Sequence, residues 1–313
     1  MEKRVLFLDT VHPVLQEKLT NDGYICVQDY QCTSEELKKV IHEYFGLVIR
    51  SRLILDKEVL SNAKNLNFIA RSGSGLENID LEFADQHKIK CFNSPEGNRD
   101  AVGEHTIAML LSLFNNITQG NEEVKSGIWK REENRGIELG NMTVGIIGYG
   151  NTGSAFAKKL SGFDCTVLAY DIIDGKIDGK FAKKASLGEI QKECDVISVH
   201  IPYNPENHHF INQALLSGFE KNIYVVNTSR GKIMNTEDLV NSIQSGDVIG
   251  ACMDVLEYEK HSFDLDDASK PKALKFLQSD NRVLLSPHVA GWTTESYYKL
   301  SKVLYQKIKG HFG

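Results

Sequence analysis

Three residues in the second half of the chain could hold an anion and move a proton: Arg230 in "NTSRGKIM", Glu259 in "MDVLEYEK" and His288 in "SPHVAGW". A guanidinium grips a carboxylate through two parallel N–H donors and polarises a neighbouring carbonyl. An imidazole can exchange the proton that accompanies a hydride. A carboxylate beside the ring orients it and favours its protonated form. Singly, each has a plain explanation, as a surface ion-pair partner, a solvated turn residue or one of ten histidines. Together they fit one mechanism.

A hydride needs a carrier, and "VGIIGYGNTGSAFA" (144–157) offers a place for one. Gly148, Gly150 and Gly153 spell G-x-G-x-x-G between an apolar run, "TVGII", and a helical one, "NTGSAFAKKL". A bare motif of this kind is weak, and its context makes it specific. The glycines allow a tight turn and close backbone approach to a pyrophosphate at a helix N-terminus. The next apolar run ends in Asp171, 18 residues beyond Gly153, where an acid can accept hydrogen bonds from ribose hydroxyls. A 2′-phosphate would be repelled there, so NAD is expected rather than NADP.

Elements must bring these groups together. Apolar runs at 4–9, 24–28, 46–50, 67–71 and 89–93 read as five strands, separated by helix-like segments such as "TSEELKKVIHEY". The pattern restarts at 142–148 and continues at 165–171, 194–201, 223–230, 248–255 and 282–288. Continuous apolar strands alternating with helices indicate parallel sheets covered on both faces. The expected fold class is therefore α/β, with two Rossmann-like or flavodoxin-like domains. In such folds ligands bind outside the carboxyl ends of strands, where Arg230, Glu259 and His288 lie. The stretch 98–117 reads as a buried helix, and 293–312 as an amphipathic helix returning to the first domain.

Composition excludes several classes. A net charge of −6 without a long basic run argues against nucleic acid. The longest apolar stretch, "AMLLSLF" (108–114), is too short to span a bilayer. The N-terminal apolar run is too short for a signal peptide, and six scattered cysteines read as reduced thiols, so a cytoplasmic protein is expected. "ENHHF", with its adjacent His208 and His209, reads as a surface loop, and no metal is expected.

Over nearly its whole length the chain resembles the D-isomer-specific 2-hydroxyacid dehydrogenases, most of all the phosphoglycerate dehydrogenases. "VIRSRLILDKEVL", "ARSGSGLENID", "NSPEGN" and "SPHVAGWTTES" carry the resemblance, in the family's order. It implies catalytic roles for Arg230, Glu259 and His288, and places Asp254 against the nicotinamide carboxamide. The cofactor contacts it leads us to expect are Gly148, Gly150, Asn151, Thr152, Gly153, Asp171, His200, Thr228, Ser229 and Asp254. The substrate contacts are Ser74 and Gly75 in the loop 72–75, with Arg50 and Arg71 for a substrate phosphate. It further implies a substrate domain at 1–98 plus 290–313, an inserted NAD domain at 99–289, a cleft closed by a hinge, and a homodimer formed through 100–117 and Trp129. The insertion explains why the glycine turn falls mid-chain.

The expected activity is hydride transfer between NAD(H) and a D-2-hydroxy acid. The leading substrate is D-3-phosphoglycerate, with 3-phosphohydroxypyruvate as its 2-oxo partner, in serine biosynthesis. The alternatives are an unphosphorylated acid (glyoxylate, hydroxypyruvate or pyruvate) or an NAD-sensing, corepressor-like binding protein. Formate dehydrogenases carry Gln where this chain has Glu259. Where the family commonly has Pro after the glutamate, this chain has Lys260 and a polar loop over 261–281, which leaves Glu257 as a fallback.

Overall fold

Alternation of faces along each strand builds the two cores. The structure is a computed structural model that describes residues 2–259 and 271–313. Residues 2–99 and 292–313 form one compact unit, and residues 100–259 and 271–291 a second. In the first unit β1 (Arg4–Phe7), β2 (Ile25–Gln28), β3 (Gly46–Ile49), β4 (Phe68–Arg71) and β5 (Lys90–Phe92) pair in parallel in the order β2-β1-β3-β4-β5. Val5 and Phe7 pack on one face with Val48, Phe68 and Ala70, while Leu6 and Leu8 pack on the other with Leu47, Ile49 and Ile69. Period-2 alternation within an unbroken apolar run thus fills both faces.

The second unit repeats the scheme. Its strands are β6 (Thr143–Ile147), β7 (Thr166–Tyr170), β8 (Lys183–Lys184), β9 (Val196–Val199), β10 (Ile223–Asn227), β11 (Val248–Met253) and β12 (Val283–Leu285). They form one parallel sheet ordered β12-β11-β10-β9-β6-β7-β8. Strand order reverses between β6 and β9 here, and between β1 and β3 in the first unit. Such switch points open a crevice at the carboxyl ends of the strands.

Several boundaries differ from expectation. The run 223–230 leaves the sheet at Asn227, whose side chain accepts from Ser229 N and Oγ and donates to the Arg230 carbonyl. That side-chain turn competes with the ladder. The strand expected at 282–288 stops at Leu285. The helix expected at 98–117 runs over Pro95–Phe114 and is followed by another at Ile117–Lys125. In the stretch read as a polar loop, Lys272–Ser279 is helical because Ala273, Leu274 and Leu277 bury one face. Lys260 and residues 261–270 lie outside the described residues. Lys183–Lys184 has no apolar pattern that sequence reading could register.

The C-terminal helix, Thr294–Phe312, begins at a capping box between Thr293 and Ser296. It belongs to the first unit. Leu304 and Ile308 enter the core face that holds Val5 and Phe7, and the Phe312 ring lies 5.4 Å from that of Phe45. Gly97 permits the close approach, since a Cβ there would stand 2.6 Å from the Leu300 nitrogen. Among the described residues no helix is long and apolar enough to cross a membrane. Because Leu304 is fully buried, Leu304→Ala is expected to lower stability by about 2–5 kcal/mol. Urea unfolding of the first unit checks this, and a loss under about 1 kcal/mol would contradict the packing described.

Candidate active site

The turn after β6 is built by steric necessity at two of its three glycines. Gly148 has φ +92°, and a Cβ on it would stand 2.7 Å from the His200 carbonyl oxygen. A Cβ on Gly153 would come within 2.0 Å of the Gly148 oxygen. Gly150 differs: a Cβ there meets nothing within 4 Å, and its φ of −85° suits any residue. Protein packing therefore does not require glycine at 150, whereas close approach of a ligand to the turn does. Asn151 and Thr152 open the helix Asn151–Leu160 directly beyond it, with their N–H groups toward its N-terminal end. These residues fit a dinucleotide.

Asp171 ends the neighbouring strand and ties it to the turn. Its carboxylate accepts from Tyr149 N at 2.7 Å and from Ile173 N at 2.9 Å. His200, after β9, is buried, and desolvation pushes its ring down to about 3, so it is neutral at physiological pH. Its Nε2 is 2.8 Å from Ser198 Oγ and its Nδ1 3.3 Å from Thr152 Oγ1. Thr228 and Ser229 follow β10 and are buried, with Thr228 Oγ1 3.1 Å from Thr106 Oγ1.

His288 Nδ1 stands 2.6 Å from Glu259 Oε2, and the other Glu259 oxygen accepts from Leu256 N. The fallback, Glu257, is engaged elsewhere. Its carboxylate takes Thr236 N at 3.0 Å, Thr236 Oγ1 at 2.8 Å and His209 Nε2 at 2.6 Å. Burial raises its carboxyl, but the Thr236 donors and His209 outweigh that and hold it below the usual range. "ENHHF" thus supplies a hydrogen-bond partner in His209, and no group of three metal-ligating side chains occurs among the described residues. Arg230 follows Ser229, and its Nη1 donates to the Ser229 carbonyl at 2.7 Å. The adjoining Gly231 packs on the segment bearing Glu259, since a Cβ there would meet the Leu256 oxygen at 2.0 Å.

The backbone of His288 is left-handed, with φ 54°. For a residue with a side chain that conformation costs about 1–3 kcal/mol and persists only where surroundings impose it. Asp254, buried after β11, imposes it. Its carbonyl accepts from His288 N at 2.8 Å, and its carboxylate accepts from Ser286 Oγ at 2.5 Å and from Val289 N and Ala290 N at 2.9 Å each. Ser286 Oγ is also 2.9 Å from His105 Nε2. Sequence reasoning does not single out Ser286 or His105, because a serine before the histidine and a histidine in an apolar helix carry no spacing signal.

In the first unit Arg71 ends β4 in register with Ile49, and Arg50 comes one residue later on the paired strand's edge. Arg71 is buried, and its Nη1 lies where a Cβ on Gly73 would sit at 2.0 Å, so glycine there makes room for the guanidinium. Ser74 Oγ donates to Asn98 Oδ1 at 2.7 Å, the Ser74 carbonyl accepts from Asn93, and Gly75 next to it is half-buried.

Residues 107–290 match the family described as D-isomer specific 2-hydroxyacid dehydrogenase, NAD binding domain. A D-3-phosphoglycerate dehydrogenase from Archaeoglobus fulgidus is 34% identical over 276 residues, which is 88% of this chain and 50% of that protein. A hydroxypyruvate reductase from Thermotoga maritima is 31% identical over 310 residues, covering 99% of this chain and 98% of that one. The chain thus spans about half the length of the phosphoglycerate dehydrogenases it matches. Among solved structures, D-lactate dehydrogenase from Aquifex aeolicus, complexed with NAD and lactic acid, is 28% identical with a TM-score of 0.82, covering 99% of this chain and 95% of that one.

The two kinds of glycine predict opposite behaviour. Gly150→Val is expected to keep the melting temperature of the native chain and weaken NADH binding by about tenfold or more, because only the ligand's space is filled. Gly153→Val is expected to destabilise the fold, because the clash is with backbone. Fluorescence titration with NADH beside thermal melts checks both. Equal loss of stability in the two variants would contradict the distinction.

Proposed function

Because the chain belongs to the D-isomer specific 2-hydroxyacid dehydrogenase family, whose matched domain binds NAD, we propose that it interconverts a D-2-hydroxy acid and its 2-oxo acid. The observation that carries this reading is the 2.6 Å contact of His288 with Glu259 on a backbone held out of its ordinary conformation. NAD(H) supplies the hydride. Gly148, Gly150, Asn151, Thr152 and Gly153 hold its pyrophosphate, Asp171 its ribose, and His200, Thr228, Ser229 and Asp254 the remaining contacts. Arg230 holds the substrate carboxylate and polarises the adjacent carbonyl. His288 engages Glu259 through Nδ1, so Nε2 delivers the proton to the substrate oxygen. Glu259 fixes the orientation of the ring.

The substrate we favour is D-3-phosphoglycerate, interconverted with 3-phosphohydroxypyruvate in serine biosynthesis. Arg50 and Arg71 take the phosphate, and Ser74 and Gly75 the carboxylate end. A second reading, hydroxypyruvate itself, draws support from the hydroxypyruvate reductase that is 31% identical over 310 residues. Six free thiols suit the cytoplasm. The exposed side chains of Ile117, Val124, Ile128, Trp129 and Ile137, with Trp129 82% exposed, suit a second copy of the chain in a homodimer. Light scattering is then expected to give twice the chain mass, and a monomer at micromolar concentration would refute the dimer.

NADH oxidation with a panel of 2-oxo acids tests the chemistry. His288→Ala is expected to lower turnover by about 10²–10⁴-fold with NADH affinity retained, and Arg230→Ala by about 10²-fold or more. Glu259→Gln is expected to lower turnover with NADH affinity retained, since the His288 ring loses the carboxylate that orients it. Unchanged turnover would refute the pairing. For the substrate, kcat/KM is expected to be far higher with phosphohydroxypyruvate than with hydroxypyruvate. No gain from the phosphate would favour the second reading, and no oxidation with any 2-oxo acid would leave an NAD-sensing protein.

A further inference from the structure

Arg50 and Arg52 are two residues apart and carry the same charge, yet the structure uses them differently. Arg52 is committed to the fold: its Nε donates to Asp9, its Nη1 to the Cys32 carbonyl and its Nη2 to the Leu8 carbonyl. Asp9 is in turn taken up by Arg52 and by the backbone N–H of Arg50 at 2.6 Å. The Arg50 guanidinium lies 4.1 Å from the centre of the Trp292 ring, and its N–H donors meet no acceptor among the described residues. Trp292 is braced edge-on by Tyr297, 5.4 Å away, in the first turn of the C-terminal helix. Burial pushes the Arg50 guanidinium below its usual range, with Asp9 acting in the opposite sense.

A guanidinium stacked on an indole spends its face and keeps its edge, where the in-plane fork of donors lies. The ring also removes water from one side and fixes the side chain, so less freedom is lost when an anion docks. Asp9 and Arg50 follow β1 and β3, at the strand-order reversal of this sheet, where parallel α/β sheets take ligands. We propose that Trp292 is a specificity-determining residue that holds Arg50 as a preformed fork for the anionic group, phosphate or carboxylate, that a substrate carries besides its 2-oxo acid. This rests on the dehydrogenase reading above and adds to it the residue that selects the class of substrate.

Trp292 is one of two tryptophans, so Trp129→Phe leaves it as the only indole reporter. In that background, inorganic phosphate at millimolar concentration is expected to change the Trp292 emission saturably. Chloride at equal ionic strength is expected not to, and Arg50→Gln to abolish the response. In kinetics, Trp292→Ala is expected to lower kcat/KM about 3- to 30-fold for phosphohydroxypyruvate or 2-oxoglutarate. Little change is expected for hydroxypyruvate, and Trp292→Phe should restore part of the loss. Whichever of the two anionic substrates shows the effect identifies the group. No response to phosphate, a response that survives Arg50→Gln, or an equal loss on substrates with and without a second anionic group would each overturn the proposal. A phosphate response in a chain that oxidises no NADH would refute the dehydrogenase reading and leave this site standing. Trp292 is 46% exposed, so its replacement threatens the fold little.

Discussion

A buried carboxylate is tolerated only when its lone pairs are filled, and the geometry of the chemical residues hangs on one that is. Asp254 is 1% exposed and sits just past the end of β11. Its side chain gathers the Ser286 hydroxyl and the N–H groups of Val289 and Ala290, while its own N–H reaches the Asn227 carbonyl. Leaving any one such group unsatisfied costs about 1–3 kcal/mol. That is of the same order as the roughly 1–3 kcal/mol needed to hold His288 at positive φ. Several bonds act together, so the left-handed turn persists, and His288 points where Glu259 can reach it.

The same economy of strand ends positions the cofactor turn. The reversal of strand order between β6 and β9 puts the turn at Gly148 against His200, and the sheet needs glycine there for reasons internal to the protein. Gly150 is the exception, because nothing in the protein fills the space beside it. His200, whose carbonyl stands against Gly148, is neutral, since burial removes its charge and leaves a ring fixed by Ser198 and Thr152.

Within each unit, charged residues two positions apart take different neighbours. Glu257 accepts from Thr236, the first residue of the helix Thr236–Ser245, and from His209, whereas Glu259 faces His288. Arg52 closes a loop on carbonyls, whereas Arg50 rests on an aromatic face. In both cases residues two apart in sequence, alike in charge, differ only in which neighbour the backbone presents to them.

Sequence alone determined the fold class, because unbroken apolar runs separated by helical segments admit few arrangements other than covered parallel sheets. It also determined the glycine turn, where spacing, strand and helix coincide within a short window, and the acid at Asp171. It did not determine where strands yield to turns: the side chain of Asn227 ended β10 before the apolar pattern did. The helix Lys272–Ser279 was hidden by its charges, although three of its apolar residues share a face. Only the tertiary structure chose Glu259 over Glu257 as the neighbour of His288, and revealed Ser286 and His105 beside Asp254. The reason is distance along the chain. Periodicity and spacing register contacts within a turn or a strand, whereas His288 and Glu259 meet only after the ends of β11 and β12 lie at one edge of a sheet, and Arg50 and Trp292 only after the C-terminal helix has packed on the first unit.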